Sequence, residues 1–359
     1  MPARFLASRY GVLHAVFYAA PVIVALKTHA WGARTVVGRM LYYIAMNVQI
    51  AIAILVSVLA MNPSPSSAKT TPLKIVVDIP FVASLAQELV GPEEVITALV
   101  TASDSPHNFS LRPRSVRALQ NADLVITVSK ELSPNITRAM DNVTDVRTFS
   151  LASAPGIEML PSRGQHDHAK PLNNRSTLAL TDQYETMNID PHIWLSPVNV
   201  QFMVEALRDE LISIAPQRAK QFRESAQRIT TQLQAFDEQQ QNRWKQATNR
   251  SFVSLHDATH YFENRYQLQS KGSLFAATHT SPGVQQLKLI KDIIDAQGIS
   301  CVVADALTSP AWIKTLSEGF DVTIVSIDVL GFEPNDAHYL TTLNQVADAF
   351  AQCLSVASE

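Results

Sequence analysis

Charge is scarce in this chain and neither sign dominates. Charged residues make up 17% of 359 and the formal net charge is −3, so no basic field is on offer for nucleic acid. A glycine-rich phosphate loop of the GxxxxGK[ST] type is missing, which argues against nucleotide hydrolysis by the chain itself. No His-Glu-x-x-His arrangement occurs either, and no nucleophile partner stands out, which leaves a zinc hydrolase little to work with. No internal repeat is apparent. Cysteine is limited to Cys301 and Cys353, far from the amino terminus, so a lipid-anchored amino terminus is disfavoured. What is present is length enough for a full core in two domains of ordinary size.

Apolar residues reach 47%, and the excess lies in the first sixty positions. Residues 40–61 read MLYYIAMNVQIAIAILVSVLAM without a charge, and a Pro/Ser-rich stretch ending Ser66-Ser67-Ala68 follows. An apolar run, a turn-prone segment and a small-residue site are the marks of a cleaved secretory signal, here residues 40–68. A retained anchor is the alternative, since about 20 apolar residues suffice to span a bilayer. Residues 1–39 are too long for the basic region of a signal and hold a second apolar run, Val12–Leu26. They are expected to be a non-native extension upstream of a start at Met40 or Met46, although neither start leaves a Lys or Arg ahead of the apolar run. The expected compartment is a Gram-negative periplasm. In an exported protein a cysteine pair reads as a disulfide, with two free buried thiols as the bland alternative.

From Leu73 the pattern alternates strands and helices. LKIVVDI, VITALV and DLVITVS read as strands, with helices over Phe81–Val90 and Pro113–Gln120. Residues 155–188 break the rhythm with a polar loop, and Val198–Ile214 is helical again. Residues 216–246 form the most polar long helix, with Ala219, Phe222, Ala226, Ile229, Leu233 and Phe236 spaced by threes and fours. It is read as a rigid strut between two lobes, with a coiled-coil arm as the runner-up. The second half repeats the scheme: SFVSL, SCVVAD and VTIVSID as strands, and His256–Tyr266, Val284–Ala296, Trp312–Glu318 and Tyr339–Cys353 as helices. The fold class is α/β, with a first lobe over 73–215 and a second over 251–359, each a mainly parallel sheet flanked by helices.

Three histidines sit in separate motifs: His107 in SPHNF, His192 in DPHIWLSP and His256 in LHDATHYF. In open α/β sheets ligands collect beyond the carboxyl ends of strands. His107 follows VITALV, His256 follows SFVSL and Asp328 ends VTIVSID. Neutral imidazole is a common ligand for zinc, and three of them leave a fourth position open.

From about Leu73 onward the chain resembles the periplasmic zinc-binding proteins of high-affinity zinc ABC transporters, the ZnuA type of the cluster A-I binding proteins. SPHNFSLRPRSVRALQNADLVI resembles that family's first ligand loop, DPHIWLSP its second and LHDATHYFENRY its third. SIDVLG resembles its aspartate segment, and CVVAD with AFAQCL the positions of two cysteines that pair in some members. The resemblance implies two lobes joined by a long helix, metal in the cleft between them, and ligands His107, His192 and His256 with Asp328 or water fourth. It also implies Cys301–Cys353 pairing, a monomer, and delivery of Zn2+ to a membrane permease driven by a separate ATPase. His256 stands where manganese-binding relatives carry a carboxylate, which favours zinc, as imidazole chemistry does.

Some positions depart from the family. Pro106 replaces a glutamate found beside the first histidine in some members, and Asp305-Ala306 replaces a Glu-Pro. The His-rich loop is reduced to GQHDHAK, where His166 and His168 offer a weak secondary site or are simply solvated. His260, four residues after His256, could share its helix face, but a packing or surface role is the expectation; His279 is extra, and His338 reads as a helix start. These departures permit a paralogue for Mn, Ni or Cu. A zinc hydrolase using Asp257 or Asp305 as general base, and a surface adhesin, are the readings from other classes.

Overall fold

The computed structural model describes residues 36–61, 72–163 apart from 103 and 144, 189–245, 247, 250–275, 284–332 and 339–356. The chain divides into two units, Met1–Thr70 and Thr71–Glu359. In the first unit one helix, α1 (Val36–Met61), is described, and its side chains from Tyr43 to Ile52 are exposed. Residues 1–35 of the expected 1–39 extension, the expected cleavage site at 66–68, His166 and His168, His279 and His338 all lie outside the described residues, while 36–39 open α1. Among the described residues no helix is long and apolar enough to cross a membrane.

The second unit begins with β1 (Lys74–Val77), α2 (Pro80–Val90), β2 (Val95–Ala98) and α3 (Pro113–Gln120). Next come β3 (Leu124–Thr127), α4 (Pro134–Met140), β4 (Arg147–Ser150), α5 (Pro197–Ile214) and α6 (Ala219–Lys245). The second half runs β5 (Ser251–His256), α7 (His260–Tyr266), β6 (Gln269–Phe275) and α8 (Val284–Gln297). It closes with β7 (Cys301–Asp305), α9 (Pro310–Ser317), β8 (Thr323–Ile327) and α10 (Tyr339–Cys353). Proline sets many of the helix starts: Pro80, Pro113, Pro134, Pro197 and Pro310 each occupy a first turn. There the missing N–H would have had no helical partner anyway.

Both sheets are parallel and four-stranded, in the orders β2-β1-β3-β4 and β6-β5-β7-β8. The second order repeats the first with every strand advanced by four, so the two halves share one topology. Helix α6, about 40 Å long at 1.5 Å per residue, packs on α2 and α5 of the first half and on α7 and α10 of the second. Its buried stripe is Phe222, Ala226, Ile229, Leu233 and Phe236, the same threes and fours read in the sequence, and the preceding Pro216–Arg218 is a separate 3-10 turn. One continuous core joins Ile75, Val125, Leu207, Ile229, Phe252 and Phe350. A smaller apolar layer, including Val253, Leu255, Ile290 and Leu316, covers the other face of the second sheet. Strand β5 feeds both, with Phe252 on one side and Val253 on the other, as a period of two requires.

Three elements have no counterpart in the sequence pattern: α4, β4 and β6. The two strands lie at sheet edges, where half of the side chains need not be apolar. A fourth difference moves a ligand candidate. His256 does not start a helix but ends β5, opposite Phe275 of β6, and the Asp257 amide continues that pairing to the Phe275 carbonyl at 3.1 Å. The helix begins only at His260. Cys301, first in β7, and Cys353, last in α10, form a disulfide with Cα atoms 5.2 Å apart, so the two-thiol alternative falls.

Candidate metal centre

Each of the three histidines is presented by a different device. His107 rides on a 3-10 turn, Pro106–Asn108, in the loop after β2. His192 stands just before another 3-10 turn, Ile193–Leu195, which runs into α5; Ser196 caps that helix by accepting the Asn199 amide at 3.2 Å. His256 is the last residue of β5. The rings converge, with centroids 5.4 Å apart for His107 and His192, 5.9 Å for His107 and His256, and 5.2 Å for His192 and His256. One nitrogen from each lies within 4.8 Å of the others. Among the described residues this is the one such set of His, Cys, Asp or Glu.

Two of the rings are held from behind by carboxylates. His192 Nδ1 lies 2.8 Å from Asp190 Oδ1, which also accepts the His192 backbone amide at 3.0 Å. His256 Nδ1 lies 2.6 Å from Oδ2 of Asp305, the last residue of the neighbouring strand β7. Asp305 is itself fixed, because its Oδ1 accepts from the Leu307 amide at 3.0 Å and the Thr308 hydroxyl at 2.8 Å. A carboxylate on Nδ1 leaves Nε2 as the basic atom facing the cluster, an arrangement that sets both tautomer and ring orientation for a metal. A zinc with Zn–N bonds near 2.0–2.1 Å needs nitrogens about 3.3 Å apart, a modest contraction of this set.

Asp190 is wholly buried, and burial alone would raise its pKa. The rings of His192 and His260 outweigh burial and hold its carboxyl well below the usual carboxylate range. His260 is buried with Nδ1 3.5 Å from Asp190 Oδ2, so it faces the same carboxylate that holds His192.

Asp328 lines the same cavity, together with apolar Ala306, Leu307, Val329, Leu330 and Phe332. Its Oδ1 accepts the amides of Leu330 and Gly331 at 3.1 and 2.9 Å, and its carboxylate falls outside the 4.8 Å cluster. The cavity wall is pinned across the two halves. Trp194 Nε1 donates to the Val329 carbonyl at 2.7 Å, and the Phe81 amide to the Leu330 carbonyl at 2.8 Å.

Reading the sequence missed Asp190 as a ring holder and weighed Asp305 only as a base. For Asp190 a signal was available, since it lies two residues before His192. Asp305 is recognisable only once β5 and β7 are known to be neighbours. The side chain of Asp257, the other candidate base, is buried and ion-paired with Arg163.

Comparison with known proteins identifies the family and the fold. A curated relative, the high-affinity zinc uptake system protein ZnuA of Yersinia pestis, is 27% identical over 289 residues, 76% of this chain and 88% of that protein. A crystal structure of ZnuA superposes with a TM-score of 0.67 at 19% identity, covering 79% of this chain and 99% of that one. A Zn(II)-bound mutant variant of AdcAII from Streptococcus pneumoniae gives 0.65 at 20%, covering 79% and 98%. These two structures share the fold. The family model for ZnuA, zinc-uptake complex component A, periplasmic, matches residues 75–353, and the chain belongs to that family.

Proposed function

We propose that the protein is a periplasmic solute-binding protein that captures Zn2+ through His107, His192 and His256 and delivers it to an ABC-type importer. The observation that carries this reading is the convergence of three imidazoles from three separate loops and strand ends, two of them backed by carboxylates. Three nitrogen ligands with an open fourth position suit zinc, and Asp328 or a water fills that position. Zinc is cargo here, so the site has to release it to a membrane permease whose ATPase is a separate subunit. The working chain is a monomer with one lobe over 73–215, a linking segment over 216–246 that contains α6 (Ala219–Lys245), and the other lobe over 251–359. Residues 40–68, whose apolar part forms α1, serve as the export signal and are removed. A hydrolase is disfavoured because both candidate bases are engaged, Asp257 by Arg163 and Asp305 by His256.

The test is elemental analysis of protein purified from periplasm without added metal, alongside His107→Ala, His192→Ala and His256→Ala. About one zinc per wild-type chain, lost or greatly weakened in each variant, is expected. A different metal would redirect the reading to a paralogue of altered selectivity, and zinc indifferent to all three substitutions would overturn the site. The same sample gives the mature amino terminus: a first residue near 69 supports export with cleavage, and an intact α1 excludes it.

A further inference from the structure

His192 and His256 belong to different halves of the second unit, so something must fix their separation when the site is empty. The structure offers one bracket that reaches both. On one side, the Leu160 and Asp190 segments run antiparallel, with a bridge between Pro161 and Ile189 and the Asp190 amide donating to the Leu160 carbonyl at 2.9 Å. That pairing ends two residues before His192.

On the other side lie Asp257, directly after His256, and α7. Two side chains cross between them. The buried Tyr261 hydroxyl accepts the Leu160 amide at 2.9 Å and donates to the Asp190 carbonyl at 2.9 Å. Arg163 grips two carboxylates at once: Nη1 donates to Glu263 Oε2 at 2.6 Å and Nε to Asp257 Oδ2 at 3.2 Å, while Nη2 reaches both acids. The carboxylates are almost fully buried, with side-chain exposures of 0% for Asp257 and 3% for Glu263, and Thr259 Oγ1 adds a bond of 2.7 Å to Glu263.

We propose that Arg163 and Tyr261 are positioning residues for the metal centre, together setting the distance and orientation between His192 and His256. Neither belongs to the cluster. Arg163 ties residues 160–163 to the residue after His256, and Tyr261 ties α7 to the backbone of the acid that orients His192. A planar guanidinium can fork onto two carboxylates, whereas an ammonium is a single point charge, so the geometry requires arginine. The arrangement keeps both buried acids hydrogen-bonded, although one guanidinium offsets only one of their two charges. The inference rests on the zinc-binding reading above, and its test separates the two.

The exported protein is compared with Tyr261→Phe, Arg163→Lys, and the neutralised triple Arg163→Met/Asp257→Asn/Glu263→Gln, which leaves no unpaired buried charge. Three quantities are measured: zinc release rate, the visible spectrum of the Co2+-loaded form, and melting temperature without metal. The expected result is zinc release at least tenfold faster in Arg163→Lys and the triple, and severalfold faster in Tyr261→Phe. An altered cobalt ligand-field spectrum should accompany it in variants that melt close to wild type. Release rates and cobalt spectra equal to wild type in the variants that fold would overturn the proposal and leave both residues structural. Should the arginine variants fail to fold, Tyr261→Phe decides alone, because the phenyl ring keeps the packing and loses only the bridging hydroxyl. Wild-type protein that binds neither zinc nor cobalt would overturn the function and this inference with it, whereas wild-type binding with unchanged variants overturns the inference alone.

Discussion

Asp305 shows how a residue that would not touch the metal can govern it. Its Oδ2 sits 2.6 Å from His256 Nδ1 while its Oδ1 is spent on the turn at 307–308. One carboxylate therefore holds both the ring and its own position. Removing such a partner from a metal-bound histidine typically costs 10–100-fold in affinity. Asp305→Ala is expected to weaken zinc by that order, and Asp305→Asn by less, because the amide keeps an acceptor oxygen and loses the charge. Competition against a chromophoric chelator measures both, and an Asp305→Ala variant with wild-type affinity would show that the contact is incidental. The residue-scale lesson follows. The three histidines were legible because each stands in a motif that marks a strand end or a rigid Pro-bracketed turn. Asp305 was not, because its role depends on β5 and β7 lying side by side, a pairing between segments separated by β6 and α8 that no local pattern announces.

At the scale of elements, β7 links two features of opposite character. It begins at Cys301, disulfide-bonded to the end of α10, and finishes at Asp305 behind the metal cluster. The bonded cysteines are 52 residues apart, and closing a loop of that size contributes roughly 4 kcal/mol in the chain-entropy model. Cys301→Ala/Cys353→Ala is expected to lose about 2–4 kcal/mol of unfolding free energy while keeping one zinc per chain, since the disulfide lies at the far end of the strand. Denaturant unfolding and metal analysis together check this, and loss of zinc in a still-folded variant would mean that the disulfide supports the site directly. The strands with buried runs, such as KIVV and CVVAD, could be read from composition because both of their faces are covered. The edge strand Arg147–Ser150 is half exposed, and Gln269–Phe275 opens with the polar run QSKGS. In both, strand pairing supplies what hydrophobic periodicity does not show, so only the fold reveals them.

For the whole molecule, the proposed site predicts that zinc is a cross-link. His107 and His192 come from the first half and His256 from the second, so an ion held by all three would join the two halves. A ligand that binds only the folded chain stabilises it by about 2.7 kcal/mol at a free concentration 100 times its dissociation constant. Binding needs neutral imidazoles, so protons compete with the metal as pH falls. The stabilisation by zinc is therefore lost progressively on acidification. Other groups shift the stability of the fold itself, and Asp78 is the clearest. Burial is the main cause that pushes its carboxyl up from 3.8 to about 6, against hydrogen bonds from Val128, Ile79 and Ser133 that lower it. The folded state then holds this proton more tightly than the unfolded state. Its contribution is present below 3.8 and lost as pH rises through about 6, opposite in sign to the zinc effect. Asp78 acts equally with and without metal, so it cancels when the two forms are compared at one pH. The melting temperature of zinc-loaded protein minus that of metal-free protein should thus shrink steadily from about pH 7.5 to 5.0 at fixed free zinc. A difference that stays constant across that range would mean that the metal is held by groups other than imidazoles.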